Sequence, residues 1–342
     1  MNGFADLSRE SQRRAFEEAS ARLGLPPVSI EKDYWVFLVL EALFASPLLE
    51  PRLTFKGGTS LSKVWKLIDR FSEDIDIVVD RMSLGFSDTR DPEFAKTTSS
   101  RKRLVTELKS ACARCARDEI VPELALALNT NVGNDTYTLE FDKADEDGQT
   151  LLIRYRSVLG GIPDGYIQPS VKLELGARSG NEPTIEAHVT TLVAEALPGA
   201  SWARMAKVRA LDPTRTFLEK AFLLHEENHR PLEKLIKGRM SRHLYDLSRL
   251  IRAGIGDRAL LDHGLFERVL RNRKALFNYS WMDYATMRCG TLRLVPLDDR
   301  IAVWRRDYSD LRHEMMYGDP PTFPVLVTDI REFEARANAI PW

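Results

Sequence analysis

The sequence predicts an α+β protein in which a mixed, sheet-containing half is followed by a mostly helical half. Three observations indicate this. A short strand, a Gly-rich turn, a helix and a second strand follow one another over residues 52–80. Three more strand-like runs come next, at 136–141, 151–158 and 170–175. Beyond about residue 200 the pattern becomes helical, which predicts two domains, 1–200 and 201–342.

The composition is that of an ordinary globular protein. The 342 residues are 44% hydrophobic and 29% charged, enough material for one large domain or two smaller ones. Lysine and arginine number 49 against 50 aspartates and glutamates, so the formal net charge is −1. This balance excludes a uniformly basic nucleic-acid binder but leaves room for a local basic groove.

Cysteine content and apolar runs predict a cytoplasmic chain without a membrane partner. Three cysteines are too few for a disulfide scaffold and suit a reducing compartment. Met1 is followed by polar residues rather than by the apolar core of a signal peptide. The longest apolar run, 35–44, is interrupted by Glu41 and is too short to span a bilayer.

Helices are predicted from composition and from their start and stop signals. Residues 7–23 are rich in helix formers, and a second helix is expected to begin at Ser29 as its N-cap. A helix over 101–129 is expected to bend or break at Pro122. In the second half, Asp212 and Pro213 form an N-cap and first-turn pair that opens a helix to about His229. Further helices are expected at about 240–253 and, interrupted by prolines, towards the C-terminus.

Asp74 and Asp76 are the first candidate functional residues. The run 74–79 alternates with period two, so both aspartates lie on one face of a strand, about 7 Å apart, opposite Ile75, Ile77 and Val79. Two carboxylates in this arrangement suit one or two Mg²⁺ ions, although an Asp-x-Asp is more often solvated. Because the other face is wholly apolar, this is a central strand whose aspartates need a partner.

The turn Gly57-Gly58-Thr59-Ser60 is a candidate phosphate site. Paired glycines let the backbone approach a ligand, and hydroxyls with free N–H groups at a helix start bind anions. The turn lacks the Walker pattern, and alone it is more often plain turn chemistry. One helix before a two-aspartate strand, however, it has the layout of polymerase-β-like nucleotidyltransferases. Lys63 in the following helix either reaches a phosphate or is solvated.

Glu174 is a candidate third carboxylate. In the run 171–175, apolar residues alternate with Lys172 and Glu174, which therefore share one strand face. On a strand beside Asp74 and Asp76, Glu174 would complete a metal site or deprotonate an attacking hydroxyl. The same spacing also fits a Lys–Glu surface pair.

The second half offers Lys220, Arg242, His243 and Asp246. The last three lie with Arg239 on one side of a predicted helix, opposite an apolar stripe, which fits either a nucleotide clamp or a solvated face. Lys220 stands within an apolar helix and must snorkel or find a partner, of which a triphosphate is one candidate. Basic segments that would hold RNA, or simply face solvent, recur at 101–103, 234–237, 268–274 and 305–306.

Several blocks together resemble the AbiEii/AbiGii toxin family. They are the segments 31–35 (EKDYW), 55–61 (FKGGTSL), 71–76 (FSEDID), 172–174 (KLE), 215–220 (RTFLEK), 241–247 (SRHLYDL) and 318–321 (GDPP). They run in the same order from about residue 25 to 340, with Phe217 where the family often carries Trp.

The resemblance implies a bacterial nucleotidyltransferase toxin of a type IV toxin–antitoxin or phage-defence system. It implies a polymerase-β-like domain followed by a helical domain that contributes to the active-site cleft. NMP would pass from an NTP to an acceptor with Mg²⁺, or Mn²⁺, as cofactor. In related mycobacterial toxins the acceptor is the 3′ end of tRNA, which blocks translation. A winged-helix antitoxin encoded nearby would be the protein partner.

The resemblance also implies roles for individual residues. Asp74 and Asp76 would bind metal, and Asp246 would be a catalytic carboxylate. Ser72 matches a position at which some relatives are inactivated by phosphorylation. The triphosphate would be bound by Gly58, Thr59, Ser60, Lys63 and Lys220.

Two other functions fit the same residues. In one of them, the fold and the transfer chemistry are the same, but the acceptor is a small molecule or a protein. In the other, the chain would be a nucleotide-binding regulator without turnover, although a degenerate enzyme is expected to have lost one of these carboxylates or the lysine.

Overall fold

The computed structural model describes residues 3–72, 74–160 and 168–341, and the chain in it forms two compact units. Unit 1 contains residues up to 64 and from 71 to 211, and unit 2 contains 65–70 and 212 onwards. The chain thus leaves unit 1 after Val64 and returns at Phe71. The predicted boundary lay at 200, and the last strand of unit 1 extends past it.

Seven strands in the described part of unit 1 form one mixed sheet in the order β3-β4-β5-β2-β1-β7-β6. The central strand β2 pairs parallel with β5 and antiparallel with β1, and β1 pairs parallel with β7. The other neighbours are antiparallel. The strands are β1 (Leu53–Lys56), β2 (Asp74–Val79), β3 (Tyr137–Phe141), β4 (Thr150–Tyr155), β5 (Ser170–Gly176), β6 (Thr184–Val189) and β7 (Ala206–Leu211).

The two faces of this sheet differ in polarity. Ile75, Ile77 and Val79 of β2 are at most 2% exposed, and their register partners Phe55 and Leu173 are fully buried beside them. Since paired residues of neighbouring strands point to the same side, these side chains form one continuous apolar face. The alternate positions form the other face, which is polar along the first half of β2.

The helices of unit 1 include one that is almost entirely buried. Helix α2 packs on β7 and against α1 and α5, and burial of nearly every side chain explains its apolar sequence. It begins at Pro27 rather than at the predicted Ser29, because proline is well tolerated in a first helical turn. The helices are α1 (Arg9–Leu23), α2 (Pro27–Ala45), α3 (Gly57–Lys63), α4 (Thr98–Cys115), α5 (Val121–Val132) and α6 (Leu192–Ala196).

Unit 2 is helical, as the sequence predicts for the second half. Asp212 caps α7, where its Oδ1 accepts a hydrogen bond from Thr214 N at 2.8 Å, and the helix ends at His229 as predicted. The helices are α7 (Pro213–His229), α8 (Ser241–Arg252), α9 (Ile255–Leu261), α10 (His263–Leu276), α11 (Ile301–Met315) and α12 (Phe323–Asn338). The α+β class is therefore confirmed.

Two predictions of local structure were wrong. Apolar residues at 61, 64, 65 and 68 follow helical spacing, which predicts that the helix after the Gly-rich turn continues to Ile68. In the structure this helix ends at Lys63, because the chain enters unit 2 at Trp65, and Lys66 has a φ of 50°, which a right-handed helix does not contain. Strands β6 and β7 were missed, and the region after 200 is not helical until Pro213. Parallel pairing of β7 with β1 is a long-range contact that local spacing does not reveal. The predicted break at Pro122 takes the form of a π-helical turn at 116–120.

None of the helices in the described residues has the length and apolar composition needed to cross a membrane.

A buried histidine connects α7 to the segment after α10. His225 is fully buried, its Nδ1 accepts a hydrogen bond from Arg293 N at 3.0 Å, and its Nε2 lies 3.1 Å from Thr286 Oγ1. Thr286 Oγ1 donates its own proton to Asp283 O, so Nε2 donates to Thr286. The imidazole is therefore neutral, and burial together with the neighbouring His229 and Arg293 lowers the pKa of His225 to about 3.

We expect this histidine to make the protein acid-sensitive. An unfolded-state histidine binds a proton below about pH 6.5, whereas folded His225 does not until about pH 3, so stability falls as the pH drops through this window. Between pH 7.5 and 5 the loss from this group is about 2 kcal/mol. Urea unfolding of His225→Gln should show a correspondingly weaker pH dependence. The exposed His263→Gln should match the wild type, and an unchanged pH dependence in His225→Gln would contradict the assignment.

Candidate functional site

Asp74 and Asp76 occupy the polar face of the central strand, as the alternation predicts. Both are half-buried, whereas Ile75 and Ile77 between and after them are buried on the other face. Asp74 is the register partner of Lys172 on β5, and Asp76 lies between Lys56 on β1 and Glu174 on β5. Three carboxylates and two lysines therefore share one patch of the sheet.

Gly57 is required by its contact with Asp76. Gly57 begins α3 with a φ of +79°, and a Cβ added there would lie 2.7 Å from Asp76 Cγ. The carboxylate of Asp76 occupies the space that any other residue would fill. The sequence prediction explained this glycine by close approach to a ligand, whereas the structure supplies a reason within the protein itself.

The first turn of α3 is joined to the start of β2 by hydroxyl groups. Thr59 Oγ1 donates to the carbonyl of Asp74 and lies 2.9 Å from Ser72 Oγ. Gly58, Thr59 and Ser60 are all buried, and Ser60 Oγ has no hydrogen-bond partner among the described residues. The Thr59 hydroxyl is thus used within the protein, which leaves the backbone N–H groups of the turn and the Ser60 hydroxyl as the predicted phosphate ligands.

Lys63 is held by an ion pair in unit 1. Its Nζ lies 2.5 Å from Asp33 Oδ1, and both side chains are 9% exposed. The second oxygen of Asp33 accepts a hydrogen bond from Leu192 N at 2.7 Å, so Asp33 joins three segments of the unit. A role of Lys63 in phosphate binding stays a prediction.

Glu174 forms an ion pair with Lys172, which is one of the two alternatives that the sequence left open. Lys172 Nζ lies 2.5 Å from Glu174 Oε1, and the two side chains are 37% and 40% exposed. Desolvation lowers the pKa of Lys172, but the hydrogen bond to Glu174 and the charges of Glu174 and Asp74 outweigh it and raise the pKa overall. The role of Glu174 as a base or ligand stays a prediction.

The donor set suits a hard divalent cation. Asp74 and Asp76 present carboxylate oxygens on one strand face, and such oxygens are the ligands that Mg²⁺ prefers. Among the described residues, no group of three or more His, Cys, Asp and Glu side chains is arranged to hold a metal. Mg²⁺ is commonly bound by one or two carboxylates together with substrate phosphates, so two aspartates fit this cation.

Unit 2 contains a buried charge cluster around Asp246, which is fully buried in α8. Arg70 Nε and Nη2 donate to its two oxygens at 2.7 and 2.8 Å, and Lys220 Nζ lies 2.9 Å from Oδ2. Burial raises the pKa of Asp246, but the charges of Arg70 and Lys220 outweigh it and hold the pKa well below its usual range. Asp246 is therefore ionised and shared by two cations.

Lys220 connects this cluster to His243. Its Nζ also contacts His243 Nδ1 at 3.4 Å. Burial lowers the pKa of Lys220, Asp246 opposes the shift, and the positive charge of Arg70 adds to it. Burial and the charges of Lys220 and Arg242 lower the pKa of His243 in the same way. The partner that Lys220 needs is Asp246, and nucleotide binding by Lys220, Arg242 and His243 stays a prediction.

The sequence prediction of a charged stripe on α8 was wrong in part. Asp246 lies in the interior rather than on a wet face, and α8 begins at Ser241, so Arg239 is outside the helix with a φ of 62°. Likewise Arg273, in the basic segment 268–274, is buried and donates two hydrogen bonds to Glu226. In both cases a distant partner neutralises the charge, and local spacing does not reveal it.

Sequence reasoning assigned no role at these two sites to three residues that the structure brings there. Lys56 and Lys172 flank the aspartates on neighbouring strands, and Arg70 forks onto Asp246. The alternation of β5 already placed Lys172 on the polar face beside Glu174. Arg70 had no such signal, because it belongs to the short segment 65–70 that joins unit 2.

Removal of the Asp246 carboxylate should destabilise unit 2 strongly. Asp246→Asn leaves Arg70 and Lys220 buried without a counter-charge, which typically costs about 3–5 kcal/mol. Urea unfolding measures the loss.

The matched control is Asp257→Ala, which removes an Asp–Arg pair with Arg336 in which the side chains are 58% and 50% exposed. It should cost less than about 1 kcal/mol. Equal losses in the two variants would contradict the buried cluster.

Comparisons with known proteins identify the family and the fold. The model of the AbiEii family, described as nucleotidyl transferase AbiEii toxin of a type IV toxin–antitoxin system, matches residues 38–338. Among solved structures, the fold is similar to MenT4, a nucleotidyltransferase toxin from Mycobacterium tuberculosis H37Rv, with a TM-score of 0.52 and 16% identity over 98% of this chain and 90% of that one. None of the curated proteins matches the sequence. The chain therefore belongs to the AbiEii family and is a nucleotidyltransferase toxin of a type IV toxin–antitoxin system, with an NTP as substrate and an antitoxin as partner.

Proposed function

We propose that this toxin transfers NMP from an NTP to the 3′ end of tRNA with Mg²⁺ as cofactor, and that it thereby blocks translation in the bacterial cytoplasm. The observation that carries the proposal is the polar face of β2, where Asp74 and Asp76 stand beside the first turn of α3. Growth arrest by such a toxin would also serve phage defence, with a winged-helix antitoxin as the neutralising partner.

Asp74 and Asp76 are the residues that would hold the metal. Mg²⁺ bound there would neutralise charge on the triphosphate and favour attack of the acceptor hydroxyl on the α-phosphorus, with pyrophosphate as the leaving group. Gly57 lets the Asp76 carboxylate lie against the backbone at the start of α3, and Thr59 fixes the backbone of Asp74. These contacts orient the two carboxylates before substrate binds.

The first turn of α3 would bind the triphosphate through its free backbone N–H groups, which are those of Gly57, Gly58 and Thr59. The unpartnered hydroxyl of Ser60 is a further donor that a phosphate oxygen would satisfy. Lys56 and Lys172 add positive charge beside the aspartates, and Glu174 next to Asp76 is the candidate base for the acceptor hydroxyl.

The identity of the acceptor is the part of the proposal that depends most on the family resemblance. The tRNA 3′ end is what that resemblance implies. Basic residues that remain exposed would contact the RNA backbone, for example Lys102, Arg103, Lys234 and Lys237. Small molecules and proteins are the alternative acceptors.

The test is a transfer reaction with purified protein, Mg²⁺, bacterial tRNA and each α-³²P-labelled NTP in turn. We expect labelled tRNA with at least one nucleotide, and a loss of about 1,000-fold in Asp74→Asn and Asp76→Asn, since a bound metal supplies several kcal/mol of charge stabilisation. EDTA should abolish transfer, and Mg²⁺ or Mn²⁺ should restore it.

The control variant is Glu186→Gln, which changes an exposed carboxylate on strand β6 of the same sheet and should leave transfer unchanged. Full activity of a folded Asp74→Asn would refute the metal site. NTP binding without labelled RNA would make tRNA the wrong acceptor and direct the search to small molecules and proteins.

The position of Asp76 can be tested through Gly57. Gly57→Ala forces the Asp76 carboxylate to move, and a displacement of about 1 Å at a reacting group commonly costs about 100-fold in rate. Gly85→Ala imposes a similar backbone strain at a φ of +81° with open space around its Cβ. We expect similar losses of thermal stability in both variants but loss of NMP transfer only in Gly57→Ala. Equal activities would falsify the contact as a functional constraint.

A further inference from the structure

Lys172 lies on the polar face of β5 among three carboxylates. It is the register partner of Asp74 on β2, and its Nζ lies 2.5 Å from Glu174 Oε1. The charge of Asp142 acts on it as well. Desolvation opposes the charged form, but the three carboxylates keep the pKa of Lys172 above its usual value. The side chain is therefore an ammonium ion at neutral pH.

Folding gains little from this ammonium ion. The side chains of Lys172 and Glu174 are 37% and 40% exposed, and ion pairs as exposed as this one contribute little to stability. The core lies on the other face of β5, where Val171, Leu173 and Leu175 are buried. The positive charge beside the aspartates is therefore better explained by what this part of the sheet binds than by folding.

The aspartate patch consists of Asp74, Asp76, Glu174, Lys56 and Lys172, which share the polar face of three neighbouring strands. Three negative and two positive formal charges leave the patch with one net negative charge. The affinity of an oxygen-ligand site for a divalent cation depends on the number of charged ligands, and a neighbouring ammonium ion repels that cation. Lys172 therefore makes the patch a poor site for a metal ion alone.

We propose that Lys172 is a counter-cation of the aspartate patch with opposite effects on two ligands: it weakens binding of a divalent cation alone and strengthens binding of a triphosphate. An ammonium ion repels the metal ion but attracts phosphate oxygens through charge-assisted hydrogen bonds. Mg²⁺ is commonly bound by one or two carboxylates together with substrate phosphates. Lys172 thus favours loading of the metal together with the NTP. This inference rests on the proposed metal site.

Lys207 provides a matched control in the same sheet. Its Nζ lies 2.5 Å from Glu186 Oε1, so it forms the same kind of lysine–glutamate pair between neighbouring residues of the sheet. It stands at the start of β7, whereas the aspartate patch lies at the end of β1, which runs parallel to β7. Lys172→Gln and Lys207→Gln change the net charge equally, so a general electrostatic effect would be the same in both. Lys172→Arg keeps the positive charge in place.

Binding of the metal alone is measured without nucleotide, through the loss of the free Mn²⁺ signal in electron paramagnetic resonance. We expect Lys172→Gln to bind Mn²⁺ at least about 10-fold more tightly than the wild type. Lys207→Gln and Lys172→Arg should stay within about 3-fold of the wild type. The gain should disappear when Lys172→Gln is combined with Asp74→Asn, because the metal uses the Asp74 carboxylate.

Triphosphate binding is measured by calorimetry with inorganic tripolyphosphate and Mg²⁺, a probe that carries no base. The complex of Mg²⁺ with tripolyphosphate is still an anion, so we expect Lys172→Gln to weaken its binding at least about 5-fold and Lys207→Gln to leave it unchanged. A substitution that merely disturbed the site would weaken both ligands. Tighter Mn²⁺ together with weaker tripolyphosphate therefore separates a charge effect from structural damage.

The outcomes distinguish this inference from the proposed metal site. If Asp74→Asn abolishes Mn²⁺ binding but Lys172→Gln leaves the affinity unchanged or lower, the inference is wrong and the metal site stands. An equal gain in Lys207→Gln, or unchanged tripolyphosphate affinity in Lys172→Gln, would also overturn the inference alone. Mn²⁺ binding by Lys172→Gln that Asp74→Asn does not alter, or no Mn²⁺ binding by any variant, would refute the proposed metal site and the inference with it.

Discussion

The alternation of strand β2 is the constraint on which unit 1 depends. As a central strand it must present one face to the buried layer, and Ile75 and Ile77 fulfil this requirement. Because side chains alternate along a strand, Asp74 and Asp76 must then lie on the opposite face. A shift of one residue in register would bury both carboxylates and expose the isoleucines. The register that packs the core therefore also places the candidate metal ligands on the polar face.

The strands on either side of β2 carry lysines next to those carboxylates. Lys56 and Lys172 stand in register beside them and partly balance their charge. This balance makes the half-buried carboxylates tolerable in the absence of other cations.

Burial of charge is more complete in unit 2, where Asp246, Arg70 and Lys220 are all buried. Such a cluster contributes little net stability compared with apolar side chains of the same volume, although loss of one member is costly. The cluster is therefore better explained by the positions in which it holds its side chains than by the stability that it adds. The fork of Arg70 fixes the Asp246 carboxylate, which in turn fixes Lys220 Nζ next to His243.

What the sequence could predict follows from the range of the interactions involved. The strand at 74–79 and the start of α7 at Asp212 depend on spacing and capping within a few residues, and both were predicted correctly. Pairing of β7 with β1 and capture of Lys63 by Asp33 depend on residues far apart in the chain, and no local pattern encodes them. Spacing and chain order supplied the candidate site residues and the family resemblance supplied their proposed roles, but their partners became visible only in three dimensions.

Gly57 shows why residue identity alone does not determine a role. A glycine at the start of a helix after a strand is typical of phosphate-binding turns, where the backbone must approach a ligand. Here the same glycine is already required by the Asp76 carboxylate. The two requirements are compatible, since a turn that admits the carboxylate also brings it next to the backbone N–H groups that would hold a phosphate. The absence of a Cβ at Gly57 therefore suits both the candidate metal ligand Asp76 and the proposed binding of a triphosphate.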